Sequence, residues 1–351
     1  MLLAIDFPSW LKPEVIPGLP LRWYGLMYIV AFTIAYRLCK RQIRERRFPM
    51  QEDDLFRLFI FGVTGLILGA RILSTLVYES DPFYRENPWF IFWPFRDGQF
   101  TGFMGMSYHG GVLGCVLGVI LFCIVKHFDF REIADMVCAA IPLGYTFGRL
   151  GNFINGELYG RVTPGPLGMI FPQAQPFSAR LDWVRELAEK TGVPVPGPSA
   201  MINLPRHPSQ LYEAFFEGIV LFCIVWALRN RKPFKGFITG LYFAGYGFIR
   251  FFLEYLRAPD ANLGYRITLA DNGVPPALFS TFFNFTTGQV FCFVMIICAL
   301  IWWIIASRLP GAEAPRFYPD AEQIRREAEE ARAREATREQ QRRRRLRKRL
   351  R

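Results

Sequence analysis

The chain alternates long apolar stretches with short polar ones, and this pattern predicts its structural class. Seven stretches are almost wholly apolar and approach about twenty residues, the length that a helix needs to cross a hydrocarbon core of about 30 Å. They cover residues 23–39, 56–77, 108–125, 133–148, 211–228, 237–255 and 290–306. The pattern predicts an all-α polytopic membrane protein with about seven transmembrane helices.

Basic residues follow alternate predicted spans, which predicts an orientation in the membrane. Clusters of Lys and Arg lie at 40–47, 126–131 and 229–235, after the first, third and fifth spans. Short basic loops tend to remain in the cytoplasm. We therefore expect a periplasmic (outside) N-terminus and a cytoplasmic C-terminus. The N-terminus lacks the basic region and cleavage site of a signal peptide, so we expect the first span to be retained.

Two segments lie outside the predicted spans. Residues 155–209 form an outer loop rich in Pro and Gly, and within it 177–191 has the apolar spacing of a short amphipathic helix. A substrate-guiding arm and a plain surface elaboration both fit this loop. After the predicted membrane domain, residues 1–306, comes a basic tail, 307–351.

The tail carries fifteen Lys or Arg and eight Asp or Glu, and so supplies +7 of the chain's formal net charge of +12. Attraction to anionic lipid headgroups of the cytoplasmic leaflet explains such a charge next to a membrane span. Nucleic-acid binding is the weaker interpretation, because no recognition fold accompanies the charge. We therefore expect no nucleic-acid partner.

The seven cysteines do not form a recognisable disulfide or metal motif. Six lie inside apolar segments, Cys39 ends one, and no pair has the CxxC spacing. Cysteines in such positions usually act as small buried hydrophobic residues. We therefore expect no disulfide, no metal ion and no cofactor.

Ionisable groups inside apolar stretches give the strongest indication of function. An arginine or aspartate at mid-bilayer costs about 2.5 to 3.5 kcal/mol even on a mild insertion scale. Tyr246, Arg250 and Glu254 are spaced by four in the sixth span and therefore share one helical face. The structural alternative is an Arg250–Glu254 ion pair that only holds helices together.

A second polar cluster, 148–160, ends the fourth predicted span and contains four glycines. Arg149 and Asn152 share a face if the helix continues that far, and Glu157 lies in the turn that follows. Such a segment predicts a small polar chamber near the outer leaflet. Arg149 and Arg250 suit an anionic ligand there, because guanidinium groups bind phosphate oxygens bidentately. A phospholipid headgroup is the anion available at that depth.

His109 lies between Tyr108 and the pair Gly110-Gly111, at the outer mouth of the third predicted span. Histidine changes its charge near neutral pH, so His109 could act as a base at this position. A purely structural histidine is the alternative, and spacing alone leaves both open.

Five sequence blocks together resemble the bacterial prolipoprotein diacylglyceryl transferase family. The longest reads Gly-Arg-Leu-Gly-Asn-Phe-Ile-Asn-Gly-Glu over 148–157 and is similar to that family's signature. The other blocks cover 22–28, 108–111, 206–213 and 245–254, and they run in the family's order. Residues 168–204 are more divergent, which leaves accessory contacts in that region open.

The resemblance implies a seven-span enzyme of the bacterial cytoplasmic (inner) membrane. Members of the family transfer the diacylglyceryl group of phosphatidylglycerol to the lipobox cysteine thiol of a preprolipoprotein signal peptide. The products are a thioether and glycerol phosphate. Phosphatidylglycerol and the lipobox peptide are therefore the expected partners.

The resemblance also assigns roles to individual residues. The positions similar to the family's lipid-binding residues are Arg149, Asn152, Glu157, Gly160 and Arg250, and those similar to catalytic residues are His109, Arg149, Arg250, Glu254, Tyr24 and Tyr246. His109 is the first candidate for the base, and the two tyrosines are weaker candidates. We expect Glu157 and Glu254 to orient the arginines.

Two other classes of protein fit parts of the pattern. A lipid flippase or solute transporter would also contain intramembrane arginines, but it would more typically show repeats or paired broken helices, which the sequence lacks. A membrane scaffold would account for the tail and the outer loop, yet it would not need Arg149 and Arg250.

Overall fold

The structure is a computed structural model that describes residues 4–16, 18, 22–79, 83–93, 95–96, 98–100, 105–258, 264–270 and 273–319. Most of the basic tail lies outside the described residues, as does part of the segment before His109. The predicted contacts of the tail with lipid headgroups therefore stay a prediction.

Helices dominate the described chain. They are α1 (Trp23–Arg46), α2 (Glu52–Leu73), α3 (Phe83–Glu86), α4 (Tyr108–Lys126), α5 (Phe130–Cys138), α6 (Ile141–Ile154), α7 (Asp182–Thr191), α8 (Ser209–Glu213), α9 (Leu221–Leu228), α10 (Phe237–Leu253) and α11 (Thr287–Arg308). A π-helical segment, Ser74–Tyr78, continues α2, and a second one, Ala214–Val220, joins α8 to α9. A 3₁₀ turn covers Pro88–Phe92.

Short two-stranded pairs connect the loops between these helices. The strands are β1 (Ile5–Asp6), β2 (Phe95–Arg96), β3 (Gln99–Phe100), β4 (Met169–Ile170), β5 (Phe177–Ser178), β6 (Met201–Ile202), β7 (Tyr265–Thr268) and β8 (Asn284–Thr286). The β1–β4 pair is parallel, whereas β2–β3, β5–β6 and β7–β8 are antiparallel.

Four helical stretches of the described chain are long and apolar enough to cross a membrane. They are Glu52–Tyr78, Tyr108–Lys126, Ser209–Leu228 and Thr287–Arg308, and α10 is an apolar helix of 17 residues. The helical, membrane-spanning class expected from the sequence is confirmed. The count of seven spans and the orientation of the termini stay predictions.

Two predicted helix boundaries are wrong. The fourth predicted span, 133–148, is not one helix, because α5 ends at Cys138 and α6 begins at Ile141. Pro142 explains the break, since a proline inside a helix lacks the N–H donor and clashes with the preceding turn. The amphipathic helix predicted over 177–191 begins only at Asp182, because Phe177–Ser178 pairs with β6 instead.

The 155–209 loop, which we call the arm, has an apolar core of its own. This core contains Val162, Ala179, Val184, Leu187, Ala188, Ile202 and Leu204. The pairing of β1 with β4 fastens the N-terminal segment to the arm. The N-terminal segment and the arm therefore lie at the same end of the molecule.

The segment after α11 packs at the other end. The Tyr318 N–H donates to the Arg46 carbonyl at 2.8 Å, and the Lys235 N–H donates to the Ala312 carbonyl at 2.8 Å. The end of α1, the loop before α10 and the exit of α11 are thus neighbours. The basic loops on which the predicted orientation rests share this end with the start of the tail.

Four buried charged side chains hold this second end together. Lys232 pairs with Glu132 at 2.7 Å and with Asp135 at 2.9 Å, and Arg46 pairs with Glu132 at 3.0 Å. Asp135 also accepts the backbone N–H groups of Gly236 and Thr239, each at 2.9 Å, and so caps the start of α10. Mutual pairing offsets part of the cost of burying these charges.

Helices α2 and α4 pack through their glycines, with direct backbone contact. A Cβ atom added at Gly114 would lie 2.0 Å from the Gly65 carbonyl oxygen, and one added at Gly69 would lie 2.3 Å from the Gly110 carbonyl oxygen. Small residues allow such close helix approach inside membranes, where close packing drives association.

We predict that Gly114→Ala destabilises the protein, because its methyl group has no space between the α2 and α4 backbones. The expected loss is roughly 1 to 3 kcal/mol, the usual cost of overpacking. The measurement is the melting temperature of the purified protein in detergent. Gly25→Ala is the matched control, since a Cβ at this helical glycine meets nothing within 4 Å. Equal melting temperatures for both variants would contradict the predicted backbone contact.

Candidate functional site

Arg149 and Arg250 meet at one buried carboxylate. Arg149, on α6, places Nη1 2.9 Å from Oε2 of Glu213, and Arg250, on α10, places Nη1 3.2 Å from Oε1 of the same residue. Glu213 ends α8 and is fully buried. The structure therefore brings the two arginines singled out from the sequence onto the two oxygens of a single anion.

Further charges complete this cluster. Arg250 Nη2 lies 3.0 Å from Glu254 Oε2, and Arg250 Nη1 lies 3.5 Å from Glu217 Oε1. Arg257 Nη1 lies 3.2 Å from Glu213 Oε1. The cluster thus contains three arginines and three carboxylates, which we call the Glu213 cluster. With all six groups ionised its formal charge is zero.

Tyr145 links Arg149 to a second acid of the cluster. Arg149 Nε donates to the Tyr145 hydroxyl at 2.6 Å, and that hydroxyl donates to Glu217 Oε2. The guanidinium also lies over the Tyr145 ring, 4.8 Å from its centroid. The Tyr246 ring packs edge-on against the Tyr145 ring, with centroids 5.8 Å apart. The Tyr246 ring therefore contacts Tyr145, the residue that bonds Arg149.

Glu254 is held from two sides. It forms an ion pair with Arg250 on the same helical face, as the spacing of four predicts. Its carboxylate also accepts a hydrogen bond from the Thr286 hydroxyl at 3.2 Å. Gly288 lies so near that an added Cβ would come 2.7 Å from the Glu254 carboxylate. The Arg250–Glu254 ion pair is real, but Arg250 also pairs with acids on α8 and on the π-helical segment that follows it.

Glu157 is positioned by amides rather than by an arginine. Its Oε1 accepts Nδ2 of Asn152 at 3.0 Å and Nδ2 of Asn155 at 3.1 Å. The Glu157 carbonyl accepts Nε2 of Gln210 at 2.6 Å. Gly156, with φ +67°, turns the chain between the end of α6 and Glu157. None of the hydrogen bonds or ion pairs among the described residues joins Glu157 to Arg149 or Arg250.

Gly160 lies at a crossing of three chain segments. Its N–H donates to the His207 carbonyl at 2.8 Å, and the next N–H, of Arg161, donates to the Leu256 carbonyl at 2.8 Å. A Cβ on Gly160 would lie 2.3 Å from the Leu256 carbonyl oxygen. Glycine is therefore required here for close backbone approach, which holds the arm against the end of α10.

Two residues with expected catalytic roles lie outside the Glu213 cluster. The Tyr24 hydroxyl bonds the Tyr28 hydroxyl at 2.8 Å, and Tyr24 is near enough to Arg149 and Glu157 to interact with their charges. His109 is exposed and places Nδ1 3.2 Å from the Tyr78 hydroxyl. In the described part of the chain, no hydrogen bond or ion pair connects His109 with Arg149 or Arg250.

Four members of this network were not among the residues predicted from the sequence, namely Tyr145, Glu213, Glu217 and Arg257. Glu213 and Glu217 lie inside the apolar stretch 211–228, so the cost of burying an ionised group already marked them. Tyr145 lies one helical turn before Arg149, and Arg257 follows Glu254 by three residues. The spacing rules that singled out Arg250 would therefore have found these residues as well.

The Glu213 cluster has unused hydrogen-bonding capacity. Four buried atoms of the cluster make no hydrogen bond of acceptable geometry to the described residues, namely Arg250 Nη1, Glu213 Oε2, Glu217 Oε1 and Glu254 Oε2. The Arg149 and Arg250 side chains keep 16% and 13% of their surface exposed, so the cluster is not completely enclosed by the protein. Buried polar groups are normally satisfied, and unsatisfied ones call for an explanation. Such arginines between apolar helices make the cluster a candidate site for an anionic ligand in a membrane-embedded bundle.

Comparisons with known proteins show the family of the chain. The family model for prolipoprotein diacylglyceryl transferase matches residues 14–305. A phosphatidylglycerol–prolipoprotein diacylglyceryl transferase of Treponema denticola is 55% identical over 87% of this chain and 95% of its own length. Proteins of the same name from Treponema pallidum and Chlorobaculum tepidum are 48% and 40% identical, each over 85% of this chain and 94% of their own length. The chain therefore belongs to the prolipoprotein diacylglyceryl transferase family and is a multi-pass membrane protein.

Proposed function

We propose that this protein transfers the diacylglyceryl group of phosphatidylglycerol to the lipobox cysteine of preprolipoproteins. The relatives named above carry this activity in their names and match nearly the whole membrane part of the chain. The observation that carries the proposal is the convergence of Arg149 and Arg250 on the single carboxylate of Glu213. A phosphate group placed beside that carboxylate could contact both guanidinium groups.

In the proposed reaction the cysteine sulfur attacks the glyceryl carbon that carries the phosphate oxygen. The new carbon–sulfur bond is a thioether, the carbon–oxygen bond breaks, and glycerol phosphate leaves with the electron pair of that bond. Arg149 and Arg250 stabilise the charge that gathers on the departing phosphate, an interaction strengthened by the low dielectric of the bundle. Glu254 holds Arg250 in place for this role.

The attacking thiol needs a base or a positive field, because a free cysteine has a pKa near 8.5 and is mostly protonated at neutral pH. His109 is our first candidate for this base. It lies beside Tyr78, outside the Glu213 cluster, so the thiol would approach the lipid from the side of α4. Tyr24 and Tyr246 are the weaker candidates, since a phenol suits hydrogen bonding better than deprotonation.

The remaining assigned residues would bind and surround the headgroup. Asn152 and Glu157 form a hydrogen-bonded pair one turn beyond Arg149, where they could contact the glycerol hydroxyls of phosphatidylglycerol. Gly160 supports this site indirectly, because it holds the arm against the end of α10. We infer that the arm is a folded element that borders the headgroup site, since it has its own apolar core.

We further propose the topology and location that this reaction needs. Together with the four long apolar stretches, α1, the broken pair α5–α6 and α10 would supply seven spans in the bacterial cytoplasmic (inner) membrane. The N-terminus would lie outside, with the arm, and the C-terminus in the cytoplasm. Residues 1–306 would form the transferase domain, and the basic tail, 307–351, would contact anionic headgroups. The joint packing of the basic loops and the segment after α11 supports this arrangement.

We predict that Arg149→Lys and Arg250→Lys each lower the rate of lipidation by roughly 100-fold or more. Lysine keeps the positive charge but lacks the planar fork that contacts a phosphate and a carboxylate together. The measurement is the mass increase of a lipobox peptide incubated with purified protein and phosphatidylglycerol. Arg180→Lys, an exposed arginine on the arm, is the matched control and should retain wild-type turnover. Wild-type rates in both site variants would remove the phosphate-binding assignment.

We predict that His109→Gln slows the same reaction by roughly 100-fold, the lower range for loss of a general base. Glutamine can keep a hydrogen bond to Tyr78, so a loss of activity reports the chemistry of the imidazole. His127→Asn, at the other end of α4, is the control because asparagine tolerates its positive φ of 58°. Near-normal turnover of His109→Gln would show that this histidine is structural.

A further inference from the structure

Glu213 and Glu217 bring two carboxylates to one arginine nitrogen. Glu213 Oε1 lies 3.2 Å and Glu217 Oε1 lies 3.5 Å from Nη1 of Arg250. Both side chains are almost completely buried, with exposed fractions of 1% and 0%. Two carboxylates this close in an apolar setting resist simultaneous ionisation, because each disfavours the charge of the other.

The charge of the Glu213 cluster makes this pair important when an anion binds. Three arginines face three carboxylates, so the fully ionised cluster is already neutral. A phosphodiester stays a monoanion throughout the neutral pH range and adds one negative charge. In the described part of the chain, no further cation forms an ion pair with these six side chains. Buried Arg161 interacts with Glu254 over a longer distance and donates its hydrogen bonds to Tyr265 and to backbone carbonyls. Bringing the phosphate to Arg149 and Arg250 therefore leaves one uncompensated buried charge unless a carboxylate is protonated.

We propose that the Glu213–Glu217 pair carries one shared proton whenever an anionic phospholipid occupies the site. This inference rests on the proposed function and adds a proton-binding element to it. The lipid-bound cluster then contains three positive and three negative groups, so its charge balances. The affinity for the anionic lipid becomes linked to pH through this proton.

The hydrogen bonds indicate which oxygen holds the proton. The Tyr145 oxygen accepts a hydrogen bond from Arg149 Nε, so the Tyr145 hydroxyl donates its proton to Glu217 Oε2. Glu217 Oε2 is therefore an acceptor and does not carry the proton. Glu217 Oε1 is buried and makes no hydrogen bond among the described residues. Glu213 instead contacts three arginines and is better stabilised as the anion. The proton therefore belongs on Glu217 Oε1.

The groups that face Glu217 come from several elements. They are Tyr145 and Arg149 of α6, Glu213 of α8 and Arg250 and Tyr246 of α10, with Tyr242 of α10, Tyr108 of α4 and Cys292 of α11, which interact with it over longer distances. The Arg250 guanidinium, 3.5 Å from Glu217, favours its ionised form, whereas its burial and the neighbouring Glu213 carboxylate favour the protonated form. A bound phosphate would share the two arginines and add a negative charge, which shifts this balance towards the proton.

The test is the pH dependence of lipid binding by the full-length protein in detergent. We expect the affinity for a short-chain phosphatidylglycerol to fall between about pH 6 and about pH 9, by up to about tenfold per unit once the pair loses its proton. Glu217→Gln, which keeps the shape in a permanently neutral form, should bind with an affinity that is flat within about twofold over that range. Glu186→Gln, an exposed acid of α7, should keep the wild-type slope.

Calorimetry of the wild-type protein gives a second measurement that needs no variant. Titration of the lipid in two buffers with different ionisation enthalpies should show uptake of about one proton per bound lipid at the alkaline end and none at the acid end. A flat wild-type profile without proton uptake, or a Glu217→Gln variant with the wild-type slope, would overturn the inference.

Lipidation of a lipobox peptide, measured on the same preparations, separates the two proposals. Wild-type protein that binds and transfers the lipid but shows a flat binding profile refutes only the shared proton. Wild-type protein that neither binds phosphatidylglycerol nor modifies the peptide refutes the proposed function itself.

Discussion

The structure depends on how its charges are buried within an apolar helical bundle. A guanidinium or carboxylate taken out of water loses several kcal/mol of solvation, and only close pairing recovers it. Glu213 is the centre of that pairing, since it contacts Arg149, Arg250 and Arg257. Helices α6, α8 and α10 must therefore approach one another at this point. The same requirement shapes the other end, where Lys232 joins Glu132 and Asp135.

Charge pairing of this kind also suits a site that handles an anion. The arginines are neutralised by carboxylates, yet Arg250 Nη1 and three carboxylate oxygens lack good hydrogen bonds among the described residues. A phosphate oxygen can accept a hydrogen bond from Arg250 Nη1, whereas the carboxylate oxygens can accept only from donors such as the glycerol hydroxyls of a headgroup. The irregular backbone around the cluster fits this function. Glu217 lies in a π-helical segment, a form of helix that is frequent at functional sites.

Much of this arrangement could be predicted from the sequence because burial costs act on single residues. Arg250 and Glu254 are spaced by four and form the expected ion pair, and α6 extends past Arg149 to Ile154 as the polar cluster requires. Pro142 indicates the break before α6, but the continuous apolar stretch 133–148 favoured a single helix. Contacts between distant segments were not predictable, because no local pattern shows that Glu213 lies between α6 and α10. The position of His109 beside Tyr78 depends in the same way on how α2 and α4 pack.

A structure of the protein with bound phosphatidylglycerol tests the central claim most directly. We expect a lipid phosphate within hydrogen-bond distance of both the Arg149 and the Arg250 guanidinium groups, beside the Glu213 carboxylate. A phosphate that contacts only one of these arginines, or that binds away from Glu213, would contradict the claim.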